Sequence, residues 1–342
     1  MSAAGARMAE EVAEQPAVFD SIVARRGDMA AVAALVSARR PRFALLAARG
    51  SSDHAALYAK YLIEVLLQLP AGLVSPSTTS LYGARPDLTD VLYLSVSQSG
   101  GSPDLVAATE AARAQGALTV AVTNTPASPL NDVAELSVDI KAGEELAVAA
   151  TKTYSATLLS LYLLVDAVRG GKGEAVAGIG ELAARALAAP IDDAVERYRN
   201  IDRVVTTGRG YSSATAAEAA LKLAETSYLG ARAYSGADLL HGPVAAIDAD
   251  TGVVAVTSRG HGGTAMRDVV AAVRERGADV LAVGSASADM PAKLRIEVPE
   301  TAEEVAPILE VLPLQRLALA LSLARGGDPD QPRGLSKVTR TL

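Results

Sequence analysis

The chain contains the same pattern of apolar strand, polar turn and helix twice. The segment RFALLAARGSS (42–52) has a counterpart in RVVTTGRGYSS (203–213). The segment SVSQSGGSPDLVAATEAARAQGALTVAV (95–122) has one in VTSRGHGGTAMRDVVAAVRERGADVLAV (256–283). The copies are separated by about 160 residues, close to half the chain, as in tandem domain duplications. Two copies of one domain are therefore the expected architecture.

Within each copy, apolar strand-like runs alternate with Ala-rich helical stretches. The first copy has such runs at 42–48, 91–97 and 118–123. Continuous apolar strands separated by helices are typical of parallel sheets that helices cover on both faces. We therefore predict an α/β fold built from parallel sheets flanked by helices.

The composition limits what such a chain can bind. Only 4% of the residues are aromatic, so the core must be built from Ala, Val and Leu. The net charge of −7 is spread along the chain, which argues against nucleic acid as a partner. The absence of cysteine excludes disulfides, thiolate metal sites and a cysteine nucleophile. The three histidines form no metal-binding pattern, so we expect neither a metal nor another cofactor.

Two segments bear on localisation. The first residues are acidic where a signal peptide needs an apolar core, so we expect no export and a cytoplasmic protein. The apolar stretch 153–168 is short for a membrane span and contains Asp166. We therefore expect a buried helix there and no membrane association.

A polar turn, SQSGGSPD, follows the apolar run 91–97. Ser102 is a natural N-cap and Pro103 a natural first helical residue, while the glycines let a ligand approach the backbone. At the carboxyl end of a parallel strand, a helix N-terminus offers unpaired N–H groups to an anion. The turn therefore indicates a phosphate site, and an ordinary capping turn is the alternative.

The turn RGSSDHAA (49–56) repeats this arrangement, with Ser51 or Ser52 as the expected cap. Two such turns at the ends of adjacent strands favour the phosphate site over ordinary capping. The corresponding turn of the second copy, SRGHGGT, carries Arg259 and His261 instead of the serines. We expect phosphate binding in the first copy only.

A second candidate site lies on the predicted helix around 218–227. Glu218, Lys222 and Glu225 are spaced i, i+4 and i+7, so they share one helix face. Two interpretations are open. The three groups form a solvated surface stripe, or the ammonium holds a carboxylate ionised as a general base.

In order along the chain, these motifs resemble the sugar isomerase (SIS) domain. SQSGGSPD is similar to its phosphosugar signature, and the tandem copies resemble the isomerase half of glucosamine-6-phosphate synthase and its stand-alone relatives. Other segments that resemble this module are MAEEVAEQP (8–16), ELAVAATKTY (145–154), EAALKLAETSYLGARAYSGADLLHGP (218–243) and DQPRGLSKVT (330–339). The resemblance implies a flavodoxin-like three-layer arrangement in each copy.

The pattern and the resemblance together predict five divisions. They are an N-terminal helical segment (1–27), a first SIS domain with the phosphate site (28–175), a helical linker (176–199), a second SIS domain with the catalytic helix and a His loop (200–328) and a C-terminal active-site tail (329–342).

The resemblance also implies roles for individual residues. Glu225 matches the base that moves a proton between C1 and C2, His241 the residue that opens the sugar ring, and Lys337 the tail lysine that meets the open-chain carbonyl. Glu218 and Lys222 match polar groups beside that base. The implied substrate-binding residues are Ser51, Ser52, Ser97, Gln98, Ser99, Ser102, Glu145 and Ala149. In the family the His loop comes from the neighbouring subunit, so the resemblance implies a homodimer.

The sequence also departs from the synthase. Ala150 stands where the family has a serine, and no segment resembles the glutaminase domain, so we expect no use of glutamine. The resemblance therefore implies isomerisation coupled to ammonia release from glucosamine 6-phosphate. Dehydration of N-acetylglucosamine 6-phosphate from the same enolisation is the alternative. A non-catalytic phosphosugar sensor is a third possibility, although the first 40 residues are too short and acidic for a DNA-binding module.

Overall fold

We describe the protein from a computed structural model, which describes residues 3–337. It contains two five-stranded sheets in which every pairing is parallel. The strands of the first sheet are β1 (Phe43–Ala47), β2 (Ala71–Leu73), β3 (Val91–Val96), β4 (Leu118–Thr123) and β5 (Leu136–Asp139). Those of the second are β6 (Arg203–Gly208), β7 (Gly230–Ser235), β8 (Thr251–Val256), β9 (Asp279–Gly284) and β10 (Leu294–Glu297).

The two sheets have the same strand order. The first runs β2-β1-β3-β4-β5, and the second runs β7-β6-β8-β9-β10. This is the flavodoxin-like order, and the predicted duplication of an α/β domain is confirmed. In each sheet the direction in which successive strands are added reverses between the second and third strands of this order. In such folds a crevice opens at the carboxyl ends of those two strands, which are β1 and β3 in the first sheet and β6 and β8 in the second.

Helices follow most strands. The helices are α1 (Ala6–Ala24), α2 (Arg26–Arg39), α3 (Ser51–Leu62), α4 (Ser77–Ser80), α5 (Pro103–Ala114), α6 (Pro129–Val133), α7 (Lys152–Val168), α8 (Ile179–Leu187), α9 (Asp192–Tyr198), α10 (Ser212–Ser227), α11 (Gly236–Leu240), α12 (His261–Glu275) and α13 (Ala306–Ala324). Helix α3 continues into a π-helical turn at Ile63–Leu67.

The chain divides into two compact units, one around each sheet. The first-sheet unit comprises residues 18–144, 152–177 and 336–337 of the described chain. The second-sheet unit comprises residues 3–17, 145–151 and 178–335. The first residues and the loop 145–151 therefore belong with the second sheet, although the first sheet lies nearer to both along the chain.

Each sheet packs its helices through small aliphatic side chains. Around the second sheet, Val253, Ala255, Val280 and Ala282 of the strands pack with Val270 of α12 and its neighbours. In the first-sheet unit, a smaller cluster joins strand residues such as Ala47 and Tyr93 to α5. The expected Ala-, Val- and Leu-rich core is confirmed.

Two long helices are strongly apolar. Residues Lys152–Asp166 of α7 are all buried, which confirms the buried helix predicted there. Within the described residues, α13 alone is long and apolar enough to cross a membrane, and 78% of its apolar window is buried inside the protein. Burial of this kind is typical of the core helix of a soluble protein.

The start of α1 is capped by residues from the far end of the second-sheet unit. The Gly5 N–H donates to an Asp328 carboxylate oxygen at 3.0 Å. The N–H groups of Arg7 and Met8 donate to Asp330 at 2.9 and 3.0 Å. Carboxylates are favourable at a helix N-terminus because they accept its unpaired N–H groups and meet its positive dipole end.

Candidate functional site

The two serine-rich turns of the first copy lie side by side. Strand β1 pairs with β3 in parallel, with Ala47 opposite Ser95, so both strands end at the same edge of the sheet. The turns 49–52 and 97–102, which we call the serine turns, follow directly from these two strands. The expectation that they follow adjacent strands is confirmed, and they lie at the point in the sheet where ligands of such folds bind.

The turn after β3 is held by its own side chains. The Ser97 hydroxyl accepts a hydrogen bond from the Gly100 N–H at 3.1 Å, and the Ser99 hydroxyl accepts one from the Gly101 N–H at 3.3 Å. Gly100 has a φ of 60°, and a Cβ atom there would lie 2.0 Å from Ser128 Oγ. Only glycine therefore fits, and each hydroxyl still has its hydrogen to donate.

The helix starts agree with the predicted caps at α5 and differ from them at α3. Helix α5 begins at Pro103 with Ser102 at its N-cap, as predicted, although the Ser102 side chain makes no capping hydrogen bond. Helix α3 begins at Ser51, and Gly50 occupies the N-cap with a φ of 55°, so the prediction that Ser51 or Ser52 caps it is wrong. The physical reason is that both serines already lie in the first helical turn.

The equivalent turn of the second copy is filled by a carboxylate of the same unit. Glu303 accepts the His261 N–H at 2.9 Å and the Gly262 N–H at 2.7 Å at the start of α12. A Cβ atom at Gly260 would lie 2.2 Å from Glu303 Oε2, so the glycine is needed for this approach. The N–H groups at this helix start are thus already paired with a carboxylate of the same unit. That phosphate binds in the first copy only stays a prediction.

A second carboxylate, Glu310, is buried beside this turn. It accepts hydrogen bonds from Ser212 at 3.1 Å and from Thr215 at 3.4 Å, both on α10. Burial raises the pKa of Glu310 to about 8, the two hydroxyls oppose the rise, and the charge of Glu303 adds to it. Glu310 is therefore mostly protonated at neutral pH.

The predicted acidic and basic side chains of α10 do share one face. Lys222 Nζ lies 3.4 Å from Glu218 Oε1 and 2.5 Å from Glu225 Oε2. We call these three residues the acid–lysine face. Its exposure is uneven, because the Glu218 and Lys222 side chains are 0% and 2% exposed whereas Glu225 is 24% exposed.

This burial excludes a solvated surface stripe for α10. Burial alone would lower the pKa of Lys222, but the charges of Glu218 and Glu225 and their hydrogen bonds outweigh it, and the pKa lies above its usual value. The lysine is therefore a fixed positive charge. A fixed ammonium beside a partly exposed carboxylate can hold that carboxylate ionised, as a general base requires.

The other two predicted catalytic residues lie near the ends of elements. His241 follows α11, its N–H donates to the Asp238 carbonyl at 3.1 Å, and its side chain is exposed. Lys337 is the last described residue and is partly exposed. Glu225 and His241 belong to the second-sheet unit, whereas Lys337 and the serine turns are assigned to the first-sheet unit.

The loop 145–151, which we call the central loop, is closed by predicted substrate-binding Glu145. Its carboxylate accepts the Thr151 N–H at 2.9 Å, and Ala149 is buried. From outside the loop, buried Glu11 of α1 accepts the N–H groups of Leu146 and Ala147. Glu145 thus has a structural task in the loop.

Sequence reasoning missed three residues, one that holds the central loop and two that lie beside the serine turns. Glu11 was visible only as part of the MAEEVAEQP segment, and its partner is 135 residues away. Arg49 and Asp104 form an ion pair of 2.8 Å beside the serine turns. To predict this ion pair, one would have had to know that β1 pairs with β3.

Among residues 3–337, no group of three or more His, Asp and Glu side chains is arranged to hold a metal ion. The polar groups of the serine turns and of the acid–lysine face are hydroxyls, carboxylates and single basic side chains. Such groups suit hydrogen bonding and proton transfer.

The tandem fold and its serine turns match a known family. The profile of the SIS domain fits residues 39–167 and 197–325, which together make up more than half of the chain. The chain belongs to the SIS domain family.

This SIS protein has relatives of known sequence and structure. It is 35% identical over 357 residues to a glutamine–fructose-6-phosphate aminotransferase (isomerizing) of Gloeobacter violaceus, a match that covers 96% of this chain and 58% of that protein. The chain thus spans little more than half the length of the curated relatives it matches.

Two crystal structures share the whole fold of the SIS protein. One, from Silicibacter pomeroyi DSS-3 and described as a candidate phosphosugar isomerase, is 35% identical with a TM-score of 0.88 and covers 94% of this chain and 99% of that chain. The other, a glucosamine-6-phosphate deaminase from Thermotoga maritima, is 23% identical with a TM-score of 0.77 and covers 98% and 100%. At that identity the second match shows the fold alone.

We expect Glu310→Gln to remove a pH dependence of stability. An unfolded glutamate loses its proton near pH 4.5 but folded Glu310 near pH 8. Between these values the folded state holds one more proton, so the free energy of unfolding falls as pH rises, by up to about 1.4 kcal/mol per unit. Glutamine keeps the shape without titrating, so the slope should disappear from urea unfolding curves at pH 5 to 8.

The matched control is Glu275→Gln, which changes an exposed glutamate of α12. It should leave the parent slope intact. An unchanged slope in Glu310→Gln would mean that Glu310 is ionised in the folded state.

Proposed function

We propose that this SIS protein acts on an amino-sugar 6-phosphate, opens the sugar ring and moves a proton from C2 to C1. With glucosamine 6-phosphate the products are a ketose 6-phosphate and ammonia, and glutamine takes no part. The observation that carries this proposal is the acid–lysine face of α10, where a buried ammonium is paired with two carboxylates and only Glu225 reaches solvent.

Such a cluster is costly to build for stability alone. Removing an ammonium and a carboxylate from water costs several kcal/mol per ion, and the attraction between them often does no more than offset that cost. Buried ionisable groups whose pKa is shifted by specific charge partners, as that of Lys222 is, are frequent at functional sites. Glu225 is the carboxylate of the cluster that a substrate can reach.

In the proposed reaction, each of the predicted site residues has its own role. His241 assists opening of the ring, which gives the free aldehyde at C1. Glu225 removes the C2 proton and returns it to C1, so that the amino-bearing carbon becomes an imine. Water then hydrolyses the imine to the ketose and ammonia. The phosphate is held by the serine turns, and Lys337 meets the carbonyl oxygen.

The relatives support the class of substrate. The relative from Gloeobacter violaceus is named for amino transfer to fructose 6-phosphate with isomerisation, and this chain matches 58% of it. We therefore assign the isomerising half of that chemistry to this chain, with release of ammonia from glucosamine 6-phosphate.

The proposed assembly is a homodimer. The His241 side chain is exposed and has no hydrogen-bond partner among residues 3–337. A histidine that opens a ring needs contact with substrate, so we propose that it completes the site of a neighbouring chain.

A proton NMR time course with glucosamine 6-phosphate and its N-acetyl form tests the reaction. Ammonia and fructose 6-phosphate from the free amine are expected. A new vinylic proton from the N-acetyl form would instead indicate dehydration, and no change in either substrate would contradict an enzymatic role.

We expect Ser102→Ala to weaken binding of sugar phosphates without changing stability. The Ser102 hydroxyl makes no capping bond in the structure, so its removal leaves the fold intact. A hydrogen bond to a charged group contributes about 1.5–3 kcal/mol, so Kd should rise at least about tenfold. Calorimetric titration with glucosamine 6-phosphate measures this, with Ser137→Ala on exposed β5 as control. Unchanged affinity would place the phosphate elsewhere.

We expect Glu225→Gln to retain substrate binding and lose turnover. Glutamine preserves the shape but cannot accept the proton, so kcat should fall by about 10²–10⁴. The direct measurement is exchange of the C2 proton in deuterated water, with Glu275→Gln as the control of equal chemistry. Exchange at the parent rate would rule out Glu225 as the base and direct attention to Glu218.

The shared site predicts complementation between inactive subunits. Mixed dimers of Glu225→Gln and His241→Ala chains contain one intact site of two if His241 acts across the interface, so they should regain up to about half of the parent activity per dimer. Tagged chains purified as heterodimers give the assay material. Proven heterodimers without activity would assign His241 to its own chain.

A further inference from the structure

Arg49 lies at the edge of the sheet where the serine turns meet. In the parallel register of β1 and β3, Ala47 is opposite Ser95, and Arg49 and Ser97 lie in the two turns that follow these residues. Its guanidinium forms an ion pair of 2.8 Å with Asp104 in the first turn of α5. The side chain of Asp104 is 1% exposed and that of Arg49 is 44% exposed.

The ion pair fixes the guanidinium and leaves much of it open. One nitrogen contacts Asp104, and another donates a weak hydrogen bond of 3.4 Å to the neighbouring Ala48 carbonyl. A guanidinium has five N–H donors, so donors remain for a ligand on the exposed side. Asp104 is itself anchored, since one of its oxygens accepts the Leu105 N–H at 2.9 Å.

The charge of the region makes this cation necessary for an anionic ligand. The turns and first helical residues at 49–54 and 97–104 carry two carboxylates, Asp53 and Asp104, and only one permanently positive side chain, Arg49. Burial raises the pKa of Asp53, while the charges of His54 and Arg49 oppose the rise. Without Arg49, a phosphate would meet neutral hydroxyls and two acidic groups.

We propose that Arg49, held in place by Asp104, binds the phosphate group of the substrate and determines the preference for phosphorylated over free sugars. This inference rests on the proposed function, because it adds a cation to the phosphate site assigned there to the serine turns. Arginine is suited to this role because its planar fork matches two oxygens of a phosphate.

The second copy supports this reading by contrast. There the helix N-terminus is occupied by Glu303, and in the repeat Ala265 takes the place of Asp104. The anchored arginine and the open turn therefore occur together in the first copy.

Calorimetric titration of the full chain with inorganic phosphate, glucosamine 6-phosphate and glucosamine tests Arg49. Arg49→Met should raise Kd for both phosphorylated probes about 10- to 100-fold, as expected for lost charge-assisted hydrogen bonds. It should leave binding of glucosamine unchanged. Arg49→Lys should regain part of the affinity, because it restores the charge without the fork.

Arg39→Met is the matched control, because Arg39 is in the same unit and also forms an ion pair with a carboxylate, that of Glu135 at 2.6 Å. Arg39 precedes β1 in the chain and Glu135 precedes β5, so this pair is outside the serine turns. It should bind phosphate like the parent. The affinity that Arg49 confers should also weaken with rising salt, and Arg49→Met should show the smaller salt dependence. Thermal unfolding without ligand identifies any variant that has lost its fold.

The outcomes separate the two proposals. Parent-like phosphate affinity in folded Arg49→Met, with loss in Ser102→Ala, would overturn the role of Arg49 and leave the phosphate site in place. Equal weakening of glucosamine and its 6-phosphate would also overturn it. If the parent itself binds neither phosphorylated probe, the proposed function fails, and the inference on Arg49 fails with it.

Discussion

Parallel pairing of the first strand of each copy with the third is the constraint on which the rest of the structure depends. It brings the carboxyl ends of β1 and β3 together, and those of β6 and β8, at equivalent places in the two sheets. Each pair of ends opens into turns and helix N-termini that attract an anion through unpaired N–H groups. The backbone therefore offers the same kind of site twice, and the side chains decide how each is used.

The two copies have used that backbone differently. In the first, serine hydroxyls shape the turn and Arg49 supplies a positive charge. In the second, the Glu303 carboxylate occupies the helix start and the mostly protonated Glu310 lies buried nearby, so the unit fills this place with its own acidic side chains. The buried ion cluster of the second copy lies on a different helix, α10, which follows β6. The same backbone thus carries different polar groups in its two copies.

Much of this organisation could be predicted from the sequence, because it rests on short-range patterns. The alternation of apolar strands and helices predicts both sheets, and the i, i+4, i+7 spacing predicts the shared face of Glu218, Lys222 and Glu225. Burial of that face could not be predicted, since it depends on how α13 packs on α10. The cap of α5 at Ser102 was predictable from the sequence, but that of α3 was not, because the positive φ of Gly50 places the cap before both serines. The partners of Glu11 and Arg49 are distant in sequence, and only tertiary structure brings them together.

The capping of α1 by Asp328 and Asp330 has a consequence for synthesis of the chain. The second-sheet unit contains residues from both ends of the described chain, joined by hydrogen bonds that span more than 320 residues in sequence. The ribosome synthesises residues 18–177, which include the whole first sheet, well before Asp328 and Asp330, the two residues that cap α1. Until that pair emerges from the ribosome, the first turn of α1 lacks its carboxylate partners, and Glu11 must hold the central loop from a helix with an uncapped end. Long-range closure of this kind is slow, because loop entropy is lost before the contacts form. The cap of α1 is therefore among the last contacts of the second-sheet unit to form, because its carboxylates are synthesised more than 320 residues after the N–H groups that they accept.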